Sequence, residues 1–284
     1  MFLVADGGST KTDWRLIKGN STLSLTTMGI NPLFSEKDQI IRVLTESDIN
    51  MYKNSITEVY FYGAGLANEP IKEGLYRIFE QFFGEGTQIF INDDMIAAAR
   101  ALLGTRPGIA CILGTGSNSC MYDGNQLIDK IPALGYILGD EGSGAYMGKR
   151  FLNALLKRDF SPELTHQLNE MGEFDLNTII ENVYKKPLPN RYLASLTRLL
   201  KAQLHQPEIY TLVYNSLEDF VLKNIIKLPR CKELPVVFAG SIAFHFNEVL
   251  NQVMKANGFE TPRVVQSPID DLVAYHKTIN SKKF

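Results

Sequence analysis

Two glycine-rich turns combine small residues with hydroxyl and charged side chains. The first, DGGSTKT (residues 6–12), follows the apolar run FLVA, and the second, GTGSN (residues 114–118), follows GIACIL. Glycine lets main-chain N–H groups approach a bulky anion, while hydroxyl groups and a lysine add further hydrogen-bond donors. Each turn is therefore a candidate phosphate-binding loop, with an ordinary solvated β-turn as the alternative.

Neither turn follows a common nucleotide-binding motif. A dinucleotide fingerprint, G-x-G-x-x-G, would need glycine where Ser119 stands, and the second turn leads into a strand pattern rather than a helix. The chain also lacks the P-loop pattern G-x-x-x-x-G-K-[ST]. If these turns bind phosphate, they do so in a fold other than those of the dinucleotide-binding and P-loop proteins.

Carboxylates follow two of the predicted strands. Asp6 ends the first strand, where it could face Mg²⁺ directly or through water. Asp93 and Asp94 end the strand QIFIN and begin the helical pattern DMIAAARALLG. One of this pair could cap the helix, or it could accept the proton of an alcohol during phosphoryl transfer. Both interpretations stay open at this point.

Two later glycine-containing segments could contact a ligand. GDEGSG (residues 139–144) carries an acidic pair that could accept hydrogen bonds from sugar hydroxyls; a solvated loop with a helix cap is the alternative. Gly240-Ser241 follows the apolar VVFA and opens a helix. Small residues there would let a base or ribose pack against the backbone, or would simply separate strand from helix.

Strand patterns alternate with helical ones, which predicts an α/β fold. The order strand, glycine turn, strand, hairpin and strand over residues 2–27 recurs over 108–131, and we interpret this as an internal duplication. Residues 36–52 are predicted to form a helix, and residues 161–228 are predicted to be mostly helical. The predicted domain boundary lies near Arg106-Pro107.

The composition is that of an ordinary globular protein. The chain has 284 residues, 45% of them hydrophobic and 21% charged, with a net charge of −2. It has no basic excess suited to nucleic acid or a membrane surface. The three cysteines show no C-x-x-C spacing, which predicts buried free thiols in a reducing compartment. With no apolar run approaching the ~20 residues of a membrane span, we expect a cytoplasmic protein.

Five segments in this order resemble the actin–hexokinase–Hsp70 superfamily of ATPases. They resemble most closely its N-acetylglucosamine kinase branch, also called the BadF/BadG/BcrA/BcrD ATPase-like family. The matching stretches are LVADGGSTKTDW, INDDMIAAA, ILGTGSNS, LGYILGDEGSGAYMG and VVFAGSIA.

The resemblance implies an α/β fold of two RNase H-like domains, each with a mixed β-sheet, hinged around a nucleotide cleft. On this basis residues 1–106 form the N-terminal domain and residues 107–284 the C-terminal domain. The latter has a helical insertion at about 157–230 and a last helix able to pack back on the N-terminal domain.

The resemblance also implies individual roles. Asp93 corresponds to the catalytic base, with Asp94 as the alternative, and Asp6 lies near Mg²⁺. The residues implied to contact the phosphates and adenosine of ATP are Gly7, Gly8, Ser9, Thr10, Lys11, Thr12, Gly114, Thr115, Gly116, Gly240 and Ser241. The residues implied to contact the sugar are Asn31, Asn118 and Asp140. Without the resemblance, Asn31, which precedes a proline, would be interpreted as a turn residue.

The implied activity is transfer of the γ-phosphoryl group of MgATP to a hexosamine, with N-acetylglucosamine first and glucosamine second. Its partner would be a small-molecule sugar, with neither nucleic acid nor membrane, and a homodimer is possible. One alternative is an ATPase that activates a partner reductase, whose relatives hold an iron–sulfur cluster between subunits through cysteines. Another is a non-catalytic sugar-binding regulator of the same fold.

Overall fold

The computed structural model describes residues 1–8, 11–33, 35–66 and 68–280. The chain forms two compact units. The first comprises Met1–Arg106 together with the C-terminal segment from Ser267, and the second comprises Pro107–Gln266.

A five-stranded mixed sheet forms the centre of the first unit. Its strands are β1 (Phe2–Gly7), β2 (Lys11–Lys18), β3 (Ser21–Met28), β4 (Glu58–Gly63) and β5 (Gln88–Asp93). The order is β3-β2-β1-β4-β5, with β2 antiparallel to both its neighbours and with β1, β4 and β5 parallel. The polar residues that end β1 and β5 therefore lie at one edge of the sheet.

Among the described residues up to Arg106, three α-helices accompany this sheet: α1 (Lys37–Thr45), α2 (Glu69–Phe83) and α3 (Asp94–Leu103). The apolar face of α2 buries Leu75 and Phe79 against the sheet, where Phe79 contacts Trp14 and Phe61. Burial of each apolar side chain of this size stabilises the folded protein by roughly 1.5–3 kcal/mol. This core fixes the strand ends that carry the candidate site.

The second unit repeats the same sheet. Its strands are β6 (Gly108–Leu113), β7 (Ser117–Tyr122), β8 (Leu127–Ile131), β9 (Val236–Ala239) and β10 (Arg263–Val265). Their order, β10-β9-β6-β7-β8, matches that of the first sheet, as do the strand directions. The predicted duplication and the expected α/β fold class, with a mixed sheet in each half, are thus confirmed.

Most helices of the chain belong to the second unit. They are α4 (Gly135–Leu138), α5 (Gly144–Lys157), α6 (Pro162–Met171), α7 (Leu176–Ile180), α8 (Pro189–Ser195), α9 (Thr197–Ala202), α10 (Pro207–Phe220), α11 (Ser241–His245) and α12 (Asn247–Ala256). Residues of α5, α9 and α10, among them Phe151, Leu200 and Phe220, join one hydrophobic core with Phe238 of β9. The helical stretch is therefore part of the core of this unit.

The last helix, α13 (Ile269–Asn280), belongs to the first unit. It packs on α3, β1 and β2. The Nε of Arg15 lies 2.8 Å from Oδ1 of Asp270, and the buried His276 is hydrogen-bonded to the hydroxyl group of Tyr62 at 2.9 Å. Among the helices that the structure describes, none is long and apolar enough to cross a membrane.

Candidate active site

The turn after β1 in the first unit is shaped by close packing. A Cβ atom at Gly7 would lie 2.5 Å from Cζ of the buried Phe61, so only glycine fits there. The N–H group of Gly8 donates to the carbonyl group of Lys11 at 3.0 Å. Ser9 and Thr10, predicted to contact phosphate, lie outside the described residues. The strand therefore ends with its backbone packed directly against an aromatic ring.

The side chains that follow this turn already have partners. Oγ1 of the fully buried Thr12 accepts a hydrogen bond from the N–H group of Ile30 at 3.0 Å. Nζ of the exposed Lys11 lies 2.7 Å from Oδ2 of Asp13. Thr12 thus holds the segment that leads to Asn31, whereas Lys11 can exchange its exposed ion pair for another anion.

Asn31 is buried, with 4% of its surface exposed. Its Oδ1 atom accepts a hydrogen bond from the N–H group of Leu33 at 3.0 Å. This geometry is an Asx turn, which agrees with the interpretation of Asn31 as a turn residue. Contact with a sugar stays a prediction.

The carboxyl ends of β1 and β5 bring three aspartates together. Asp93 caps α3, because its Oδ1 atom accepts a hydrogen bond from the N–H group of Ile96 at 2.8 Å. Asp94 is the first residue of α3 and is partly buried. Burial, followed by the neighbouring charges of Asp93 and Asp6, raises the pKa of Asp94 from 3.8 to about 7.

Asp6 has a similarly raised pKa. Burial and the neighbouring Asp13 raise it from 3.8 to about 6, against smaller opposing effects of a hydrogen bond from Ser267 and the charge of Lys11. The Ser267 hydroxyl group donates to Oδ2 of Asp6 at 3.4 Å. Near neutral pH this cluster can take up a proton or hold a cation, and both lower its repulsion.

In the second unit, the equivalent turn is tied to the loop before α5. The N–H groups of Gly144 and Ala145 donate to the carbonyl groups of Gly114 and Thr115 at 2.8 and 3.1 Å. A Cβ atom at Gly116 would lie 2.9 Å from Oδ2 of Asp140. The structure therefore brings together two motifs that the sequence analysis identified separately, GTGSN and GDEGSG.

Asp140 lies against this turn and is 9% exposed. Burial raises the pKa of its carboxyl group, although a hydrogen bond from the Ser117 N–H group opposes the rise. The nearby Asn118 is partly buried, and its Oδ1 atom accepts a hydrogen bond from the N–H group of Ser119 at 3.0 Å. Both predicted sugar contacts of this unit thus lie beside the second turn.

Gly240 follows β9 directly beside the end of β6. Its φ angle is +116°, and a Cβ atom there would clash with the carbonyl oxygen of Leu113. Ile112 and Ala239 are paired in the parallel ladder of β6 and β9. Glycine at 240 is therefore required both by its backbone conformation and by the neighbouring strand.

A cavity of about 530 Å³ joins these features of the second unit. It is lined by Gly114 and Thr115 of the turn and by Ser241 of α11. The buried side chains of Ile242 and Phe246 add apolar surface. Its volume lies within the roughly 300–1,000 Å³ of small-molecule sites.

One wall of this cavity was missed by the sequence analysis. Arg191, Arg198 and Lys201 of α8 and α9 line it, together with the exposed His245. The two cations of α9, Arg198 and Lys201, are three residues apart, which places them on one face of that helix. That spacing was the available signal, but nothing in the sequence shows that this face meets a glycine turn.

Comparisons with known proteins identify relatives of this chain. No model of a known protein family matches the chain. A solved structure from Porphyromonas gingivalis, of a protein assigned as an N-acetylglucosamine kinase, shares 41% identity and a TM-score of 0.92 over 98% of this chain and 99% of that chain. The N-acetylmuramic acid/N-acetylglucosamine kinase of Clostridium acetobutylicum is 24% identical over 91% of this chain and 90% of its own length.

A second solved structure, from Chromobacterium violaceum and assigned in the same way, is 21% identical with a TM-score of 0.72. It covers 97% of this chain and 99% of its own, and shows that the fold is shared. The identity of 41% with the Porphyromonas gingivalis protein, over nearly the whole of both chains, shows the family as well as the fold. This chain belongs to the N-acetylglucosamine kinase family, which has the actin/hexokinase-like ATPase fold.

Proposed function

We propose that this carbohydrate kinase transfers the γ-phosphoryl group of ATP to a hydroxyl group of N-acetylglucosamine. The observation that carries the proposal is the cavity of the second unit. There the turn at Gly114 and Thr115 and the distant Ser241 line one space of the size of a small-molecule site. The sugar is proposed from the relatives, whose names include N-acetylglucosamine.

Backbone donors and hydroxyl groups of the glycine turns would contact the nucleotide. Main-chain N–H groups of both glycine turns, with the Thr115 hydroxyl group, would donate hydrogen bonds to the phosphate oxygens. Ile242 and Phe246 would provide apolar surface for the base, beside Gly240 and Ser241. Such donors, fixed before ATP binds, favour the charge distribution of the transition state.

The proposed proton acceptor is Asp94, with Asp93 as the helix cap. The resemblance favoured Asp93, but the carboxylate of Asp93 is bonded to the N–H group of Ile96. A pKa of about 7 suits Asp94 to general base catalysis, which is most effective near the working pH. The sugar oxygen would bond to the γ-phosphorus as the bond to ADP breaks, and its proton would pass to Asp94.

The aspartate cluster also fits a magnesium ion. Mg²⁺ is usually held by one or two carboxylates, with water and substrate phosphates completing its coordination. Asp6 is proposed as the protein ligand, because it lies near the end of β1 close to Asp94, where a cation would offset the negative charge of the two carboxylates. Among the described residues there is no group of three or more His, Cys, Asp or Glu side chains that could hold a metal. When bound, the ion would neutralise charge on the phosphate oxygens.

The sugar contacts are proposed to come from Asn31, Asn118 and Asp140. A buried carboxylate such as Asp140 gains by accepting hydrogen bonds from hydroxyl groups, which would replace those lost from water. We also propose cytoplasmic action, where ATP is available, and a homodimer. Sedimentation analysis tests the dimer.

The alternative of a reductase activator has less support. Cys111 and Cys120 are both fully buried in β6 and β7, so neither is available to an iron–sulfur cluster shared with another subunit. The alternative of a non-catalytic sugar-binding regulator is tested by the kinase assay, because such a regulator would form no phosphosugar.

The test of the proposed function is a coupled assay of ADP release with a panel of hexoses, hexosamines and N-acetylhexosamines. Mass spectrometry of the product should show a phosphorylated sugar, with the highest kcat/KM for N-acetylglucosamine. Preference for another sugar would correct the substrate. ADP release that no sugar stimulates, with no phosphosugar formed, would refute the proposal.

A further inference from the structure

The cavity of the second unit has a strongly one-sided charge. Arg191, Arg198, Lys201 and His245 line it, while its lining includes no carboxylate. Cations that share a cavity repel one another unless an anion lies among them. The lining is therefore suited to an anionic ligand.

The cations of α8 and α9 are also available for such a ligand. Within the part of the chain that the structure describes, Arg191, Arg198 and Lys201 form no ion pair. Elsewhere in this unit, by contrast, Arg150 lies 2.9 Å from Asp219 and Arg230 lies 2.8 Å from Glu233.

Helix packing puts these cations within reach of the glycine turn. A Cβ atom at Gly144 would lie 3.0 Å from Cβ of Ala194 and 3.3 Å from Cδ1 of Ile242. The N–H group of the same Gly144 donates to the carbonyl group of Gly114. Arg191 lies three residues before Ala194 on α8 and therefore shares its helical face. Arg198 lies on the following helix, α9, and lines the same cavity as Arg191, Gly114 and Thr115.

Lys201 lies three residues after Arg198 on α9 and lines the same cavity. Its Nζ atom lies 5.8 Å from the centroid of the Phe246 ring, which is almost fully buried. The flexible lysine can leave the ring for a phosphate group, whereas the two arginines offer paired donors that match phosphate oxygens. The wall thus combines fixed and adjustable cations.

We propose that Arg191, Arg198 and Lys201 bind the phosphate chain of the nucleotide and make its charge the main basis of phosphoryl-donor selection. The inference rests on the proposed function and deepens it. The cavity lining includes no carboxylate or amide side chain to distinguish the edges of different bases. The enzyme should therefore discriminate strongly among ATP, ADP and AMP in binding, and weakly between ATP and GTP.

The first test measures binding of ATP, ADP and AMP by calorimetry in the absence of sugar, so that it does not depend on turnover. Arg198→Ala and Lys201→Ala, both at exposed positions, should each weaken ATP binding by about tenfold, and the combination with Arg191→Ala by about a hundredfold or more. The loss should shrink from ATP to AMP. Lys255→Ala, at an exposed position on α12 outside this cavity, is the matched control.

Two further readouts separate binding from a structural role. Arg198→Lys should recover part of the affinity lost in Arg198→Ala, and the salt dependence of ATP affinity should weaken in the alanine variants. Thermal unfolding of the apoprotein should be unchanged by the single substitutions.

Alanine variants with wild-type ATP affinity, or an equal loss for ATP and AMP, would overturn the inference, as would a preference for ATP over GTP of more than about a hundredfold. Failure of the proposed function can be distinguished from failure of this inference. If only the proposed function fails, the wild type forms no phosphosugar but still binds ATP through these cations.

Discussion

The turn after β1 and the turn after β6 occupy equivalent places in two sheets of the same strand order, yet the first lies near a cluster of aspartates and the second lines a cavity that contains cations. In the first unit, burial and the neighbouring charges of Asp93 and Asp6 raise the pKa of Asp94. In the second unit, the turn at Gly114 lines a cavity that contains cations and no carboxylate. One supersecondary unit has thus acquired two chemical environments.

This difference teaches that a shared topology supplies a geometry but not a role. Both strand–turn–strand units expose main-chain donors where a strand ends, because glycine occupies the turn. The residues packed around each turn then decide whether the site is suited to proton and cation binding or to polyphosphate binding. A duplicated fold can therefore present two chemically different sites.

The largest expected effect is loss of the proposed base in the acidic environment. Asp94→Asn should lower kcat by about 10²–10⁴-fold with little change in the KM for ATP, because general base catalysis contributes that much. Asp93→Asn should cost far less, since asparagine also caps helices. Steady-state kinetics of both variants provides the measurement. A larger loss of kcat in Asp93→Asn than in Asp94→Asn would show that Asp93 is the base. In the wild type, kcat/KM should rise with pH through about 7 as Asp94 loses its proton.

The glycines of the two turns should differ in what their substitution damages. Gly7→Ala places a methyl group 2.5 Å from Phe61 and should lower the free energy of unfolding by about 2–3 kcal/mol, the usual cost of overpacking. A Cβ atom at Gly114 would meet no atom within 4 Å, so Gly114→Ala should fold normally and instead weaken ATP binding. Urea unfolding and calorimetry measure the two effects. Equal destabilisation by both substitutions would contradict the contrast.

The acidic cluster should make stability depend on pH. The pKa of Asp94 is higher in the folded protein than the 3.8 of an ordinary aspartate, so the folded state binds more protons between about pH 4 and pH 7 and loses stability as the pH rises through that range. Removing this charge with Asp94→Asn should stabilise the protein by about 2 kcal/mol at pH 8, roughly half of what the full shift implies, since water screens a partly exposed group. The gain should vanish near pH 4.

Chemical denaturation at several pH values tests this effect, with Asp159→Asn, at an exposed position of the second unit, as the control. A variant less stable than the wild type at pH 8 would show that the Asp94 carboxylate makes favourable contacts that outweigh its repulsion.

The smallest expected effect concerns Thr12, which the sequence analysis assigned to phosphate binding. Thr12→Val leaves the N–H group of Ile30 without its acceptor and should lower the free energy of unfolding by about 1–1.5 kcal/mol, whereas Thr12→Ser should keep the bond. Urea unfolding of the two variants measures the difference. If Thr12→Val left the stability unchanged but weakened ATP binding, Thr12 would be assigned to phosphate binding, as the sequence analysis predicted.

The sequence predicted the strands well because apolar runs that end at glycine or aspartate have few alternatives. It predicted one helix over residues 36–52, but α1 ends at Thr45 and a 3₁₀ helix follows at Asp48–Met51. The intervening Glu46-Ser47-Asp48 includes two residues that compete with helical hydrogen bonds through their side chains. Local propensity thus located the element but not its end.

The sequence by itself determined the duplicated strand–turn–strand units, the α/β class and most of the candidate site, because these depend on periodicity and on where glycine and aspartate interrupt it. Tertiary structure decided which of those residues share a space. It placed Asp140 against Gly116 and brought the cations of α8 and α9 to the Gly114 turn. Contacts between residues far apart in the chain arise from packing of the core, which no local pattern records.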